Sequence, residues 1–70
     1  MDYTVVIEKG VHSVGGYALD IEGIYAFGDT EQDVLEKLQK AIADRIGDLR
    51  AEGREIPQPT HSTATIHVAA

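Results

Sequence analysis

The stretch GDTEQDVLEKLQKAIADRIGDLRAEG, from Gly28 to Gly53, constrains the fold more than any other part of the chain, because it alone combines a helix start signal, an apolar stripe and a stop signal. Thr30 stands where an N-cap hydroxyl is wanted, and Asp33, three residues on, is placed to reach back to the Thr30 amide as a shortened capping box. Asp29, Glu31 and Asp33 add negative charge at the positive end of the helix dipole. Val34, Leu35, Leu38, Ala41, Ile42, Ile46 and Leu49 then recur at three-to-four-residue steps, while Glu36, Lys37, Lys40, Asp44 and Asp48 face away. Gly53 is a natural C′ residue. The stripe needs a surface to cover, so the remaining residues must supply one.

Alternating and β-branched runs provide candidates for that surface. Tyr3 to Glu8 reads as a first strand with Tyr3, Val5 and Ile7 on one face, and Lys9 to Gly16, with three glycines and a serine, reads as a turn. No helix follows those glycines, which argues against a phosphate-cradling loop. Tyr17 to Ile21 is expected to form a second strand, Glu22-Gly23 a tight turn, and Ile24 to Phe27 a short third strand ending at Gly28. Beyond the helix, Pro57 and Pro59 exclude regular pairing nearby, and Thr63 to Val68 alternates again as a fourth strand with Ala64, Ile66 and Val68 inward. The expected fold is α+β, in the order βββαβ. The right-handed crossover rule places the fourth strand parallel to the first, in a four-stranded sheet of order 3-2-1-4 with the long helix on one face.

Seventy residues make one domain, 1–70, near the lower size limit for a self-sufficient core. No cysteine is present to staple it, so a homo-oligomer that buries more apolar surface is expected, and the lack of cysteine fits a cytoplasmic location. Twelve acidic against six basic residues give a net charge of −6, which argues against direct nucleic-acid binding and favours a basic partner. The N-terminal MDYTVVIEKG turns polar after Ile7, so neither a signal peptide nor a membrane span is read there.

Catalytic chemistry is not expected. Asp20, Glu22 and Asp29 suggest a carboxylate trio for a divalent metal, but their bland roles, flanking a turn and favouring a helix start, carry more weight, and no metal or cofactor is expected. His61 and His67 share a face of the expected fourth strand about 20 Å apart, too far to grip one ion within a chain. They would face each other only if two copies of that strand paired antiparallel about a two-fold axis near Ala64. Ser13 and Ser62 lack elbow-type flanking sequence, which leaves no nucleophile candidate. The basic residues scatter around the helix among acids, and Asp33 with Lys37 and Glu36 with Lys40 have favourable i, i+4 spacing.

Tyr3-Thr4-Val5-Val6-Ile7-Glu8-Lys9, the Gly16-Tyr17 strand opening, Asp20-Ile21-Glu22-Gly23 and then Gly28-Asp29-Thr30-Glu31 stand in an order and spacing that resembles the HicB-like antitoxin family. Leu35, Leu38, Ala41-Ile42, Gly53 and Ile56-Pro57 extend the likeness to about Pro59. The chain departs from the family pattern at Glu22 and Ile24, where proline and cysteine are common, and it ends at Ala70 without the C-terminal DNA-binding segment of many members. Operator binding is therefore not carried over. The resemblance implies a partial ribonuclease-H-like sheet and helix without that enzyme's activity, and a protein that neutralises a small basic RNA-cleaving HicA-like toxin by covering its active surface. Tyr17, Asp20, Glu22 and Tyr25 are the expected partner-binding residues, and Tyr25 and Phe27, on an edge strand, the expected self-association residues. The runner-up reading is a stand-alone homo-oligomeric, non-enzymatic protein of unrelated role.

Overall fold

A computed structural model describing residues 1–70 contains three strands and one helix: β1 (Val5–Lys9), β2 (Val14–Ala18), β3 (Tyr25–Gly28) and α1 (Glu31–Ala51). The strands form an antiparallel meander in spatial order β1-β2-β3, with Val5 opposite Ala18, Ile7 opposite Gly16, and Gly16 opposite Ala26. The α+β class stands. The four-stranded sheet of order 3-2-1-4, and with it the partial ribonuclease-H-like sheet, does not: residues 63–68 form no secondary structure and are exposed throughout. β1 and β3 are therefore both edge strands.

The reason lies in how the chain is caught after the helix. The Tyr3 hydroxyl donates to the Pro57 carbonyl at 2.6 Å, and the Thr4 hydroxyl donates to the His61 carbonyl at 2.8 Å. Asp20, just beyond β2, holds Thr60 and His61. The chain thus crosses the end of the sheet where β1 begins, instead of turning to run alongside it. No hydrogen bond ties any residue from Ser62 onward to the rest of the molecule.

The first reversal is shorter than its glycine content suggests. It occupies residues 10–13, closed by the Gly10 amide donating to the Ser13 carbonyl at 2.8 Å, so Gly15 and Gly16 lie within β2 and not in the turn. Gly16 is needed for packing. A Cβ there would stand 2.9 Å from Val34 Cγ1, 3.0 Å from Leu38 Cδ1 and 3.0 Å from the Val6 carbonyl, so β2 passes directly beneath the helix. β2 ends at Ala18 and not at Ile21, because the chain then turns through residues 19–23 with Gly23 at φ +78°.

The helix begins and ends as its flanking residues dictate. The Thr30 side chain accepts from the Asp33 amide at 3.1 Å, whereas the Asp33 carboxylate turns to Lys37 at 3.3 Å and does not close the reciprocal half of the box. At the other end Gly53, at φ +69°, donates to the Arg50 carbonyl and Arg54 donates to the Leu49 carbonyl, the two bonds of a Schellman motif. Lys40 pairs with Asp44 at 3.1 Å and not with Glu36, which instead accepts from Gln32. Val34, Leu38 and Leu49 are the buried part of the stripe, and Ala41, Ile42 and Ile46 are half-buried. Val34 and Leu38 join Ala18, Ile21, Ile24 and Ala26 in the core, with Tyr3, Val5, Ile7 and Val14 packed at its margin. α1 lies over β2 and β3 and leaves β1 largely outside its footprint.

Candidate protein-interaction face

The pleat that sends Gly16, Ala18 and Ala26 toward the helix sends Val6 and Glu8 of β1, Gly15 and Tyr17 of β2, and Tyr25 and Phe27 of β3 to the opposite face. The register aligns them in two rows across the strands: Val6, Tyr17 and Tyr25, then Glu8, Gly15 and Phe27. The Tyr17 and Tyr25 rings lie 6.4 Å apart at 43°, within the range of tilted aromatic pairs. Phe27 lies over the bare backbone of Gly15, where a Cβ would stand 3.2 Å from the ring. Tyr25 is 68% and Phe27 70% exposed, although both belong to a strand. Beside Phe27 a shallow cleft of about 260 Å³ is lined by Glu8, Lys9, Gly10, Ser13 and Gly15.

Of the expected partner-binding residues, the structure brings Tyr17 and Tyr25 together, with Phe27 one row away. Glu22 sits exposed on the turn between β2 and β3. Asp20 is differently placed: its side chain is only 6% exposed and is already occupied. It accepts from the Thr60 hydroxyl at 2.7 Å, the Thr60 amide at 3.1 Å and the His61 amide at 3.3 Å, with His61 Nδ1 at 2.6 Å. The Thr60 hydroxyl bond is the largest influence on its acidity. Removal from water opposes it, but the bonds from His61 and the Thr60 amide add to it, and together they hold the Asp20 carboxyl down at about 2. Asp20 is thus an anchor for the chain after the helix.

No three of Asp, Glu and His converge as ligands, so Asp20, Glu22 and Asp29 do not assemble into a cation site. His61 is engaged by Asp20 while His67 lies on the exposed tail. Two features were beyond the reach of sequence reasoning. The Asp20–Thr60–His61 cluster joins residues forty positions apart with no motif to announce it. A groove of about 500 Å³ also opens between the N-terminal residues Met1 to Val5 and the helix wall from Leu35 to Arg50. Its one signal in the sequence is the apolar stripe, whose Leu35, Leu38, Ile42 and Ile46 line it.

Comparison with protein-family models, with curated proteins and with solved structures finds no match. No helix is long and apolar enough to cross a membrane.

Proposed function

We propose that this domain is a HicB-like, antitoxin-type binding module acting in the cytoplasm. It covers the cationic active surface of a small RNA-cleaving HicA-like toxin with its open sheet face. The observation that carries this reading is the aromatic group on one sheet face, Tyr25 and Phe27 exposed and Tyr17 half-buried beside Tyr25, in a chain of net charge −6. Aromatic side chains held by a sheet suit the centre of an interface, since little conformational freedom is lost when they are covered. The net negative charge of the chain steers such a domain toward a basic protein and lets it compete with RNA for the same surface. Glu8 at one end of the face and Glu22 at the other supply carboxylates at its rim. Neutralisation by occlusion asks for no catalytic group, metal, cofactor or nucleic-acid contact on this chain.

The test is RNA cleavage by a HicA-type toxin co-expressed with this chain, with and without saturating amounts of the domain. Cleavage is expected to stop, and to return when Tyr25→Ala and Phe27→Ala are combined, because truncating interface anchors costs about 2 kcal/mol or more each. Undiminished cleavage in the presence of the unaltered chain would refute the reading. A second reading, a homo-oligomer of unrelated role, is favoured by the open groove beneath the helix.

A further inference from the structure

Two surfaces of this molecule lack a partner, and each matches the other. The first is the groove between Met1–Val5 and the helix, walled by Val5, Leu35, Ile42 and Ile46, which stays open because α1 packs over β2 and β3 but not β1. The second is the tail after His61. Ala64, Ile66 and Val68 alternate with Thr65 and His67 along it, so an extended chain carries its apolar side chains on one side. Ile66 is 84% and Val68 74% exposed, with nothing packed on either. The radius of gyration, 14.1 Å, exceeds the roughly 11 Å expected of a compact chain of this length, and the molecule is 50 Å long but only 16 Å thick.

We infer that residues 62–70 of one copy lie in the groove of a second copy, and that the exchange is reciprocal. Length permits the match: Thr63 to Val68 extended spans about 17 Å, which fits within the roughly 22 Å of helix wall from Leu35 to Arg50. Charge supports it as well. Two copies of net charge −6 repel each other, but no Asp, Glu, Lys or Arg follows Glu55, so the tail is the segment that approaches a second acidic copy at least electrostatic cost. Geometry favours exchange over self-closure. His61 is tethered to the hydroxyl of Thr4, which does not line the groove although its neighbours Tyr3 and Val5 do, so the tail starts outside its own groove and would have to bend to enter it. Residues 62–70 contain no Gly, Pro, Asn or Asp, and offer only the weaker turn formers Ser62 and Thr63 for that bend. A two-fold axis lets one surface serve both copies. This inference does not depend on the toxin reading: the groove lies on the helix side of the sheet, opposite Tyr25 and Phe27.

Sedimentation of the full chain should give a species of twice the 7.6 kDa chain mass. Ile66→Asp combined with Val68→Asp should weaken self-association by more than about 30-fold, the ratio for losing an interface anchor. Helical circular dichroism should be unchanged, since both positions are exposed within one chain. The absence of cysteine permits a second readout that needs no disruptive variant. Chains carrying Ala43→Cys, mixed with chains carrying Ile66→Cys and oxidised, should form a disulfide between chains. A monomer at all concentrations, a dimer indifferent to the two aspartates, or a disulfide that forms only within a single doubly substituted chain would each overturn the inference.

Discussion

Gly16→Ala and Gly47→Ala make the same chemical change and should move stability in opposite directions. At Gly16 the new methyl would meet Val34 and Leu38, which are 0% and 1% exposed, and the Val6 carbonyl, all at 2.9–3.0 Å, and none of the three is free to withdraw. Overpacking of this kind costs about 1–3 kcal/mol. The smaller unfolded-state entropy of alanine returns about 0.4–1 kcal/mol, which leaves a net loss of up to about 2.6 kcal/mol, with a midpoint of roughly 1.3 kcal/mol. At Gly47, inside α1, an added Cβ has nothing within 4 Å, so only the helix preference acts. It favours alanine by about 0.8–1 kcal/mol. For a domain of this size each kcal/mol moves Tm by roughly 4–8 °C, so at the midpoints of these ranges the two variants should melt about 9–18 °C apart, on either side of the unaltered chain. Thermal and urea melts followed at the helix band, at one fixed protein concentration, are the assay. If Gly16→Ala melts at or above the unaltered chain, β2 does not pass directly under the helix.

Other substitutions probe separate parts of the fold. Leu38→Ala, at a position only 1% exposed, should cost about 2–5 kcal/mol in urea denaturation, and a loss below about 1 kcal/mol would show that the stripe does not face the core. Thr30→Ala removes the hydroxyl that accepts from the Asp33 amide and should cost about 1 kcal/mol by the same measurement; a neutral result would mean the cap is not formed in solution. Because the Asp20 carboxyl is lowered to about 2 in the folded chain, its contribution is present above the usual aspartate pKa of about 3.9 and is lost as pH falls toward 2. Amide resonances of Thr60 and His61, followed from pH 5 to 2, should therefore titrate with a midpoint well below 3.9, and Asp20→Asn should abolish the transition.

What the sequence made legible follows the range of the interactions involved. Thr30, the stripe through Val34 and Leu38, and Gly53 act within a few residues, and all three sit where local rules place them. The hairpin boundaries were less legible because Gly15 and Gly16 carry two meanings. Read locally they are turn residues, but in the fold they are the strand positions where Phe27 closes over one face and the helix over the other. The fourth strand failed for a longer-range reason. Alternation in Thr63–Val68 describes a segment able to lie extended against something apolar, but it does not say against what. Asp20 and Thr4, distant in sequence, hold His61 so that the segment finds nothing within its own chain. Tyr25 and Phe27 could be placed on an edge strand from sequence, but their shared face with Tyr17 required the observed register.

The part of the sheet closest to the helix is built of small residues, and this decides where binding can occur. Its helix side carries Gly16, Ala18 and Ala26, residues small enough for the backbone of β2 to approach α1 closely. Close approach leaves no room for aromatic rings between the layers, so Tyr17, Tyr25 and Phe27 can only lie on the far side, where the domain itself has no second layer to cover them. The same closeness over β2 and β3 leaves β1 uncovered and opens the groove at the helix's outer flank. A thin core thus gives the domain two apolar surfaces on opposite sides of one sheet, one flat and aromatic, the other a trough of aliphatic side chains. Blocking either should leave the other free, so a chain made monomeric by Ile66→Asp and Val68→Asp should still engage a toxin through Tyr25 and Phe27. Loss of both functions together would mean that the two surfaces are energetically coupled through the core.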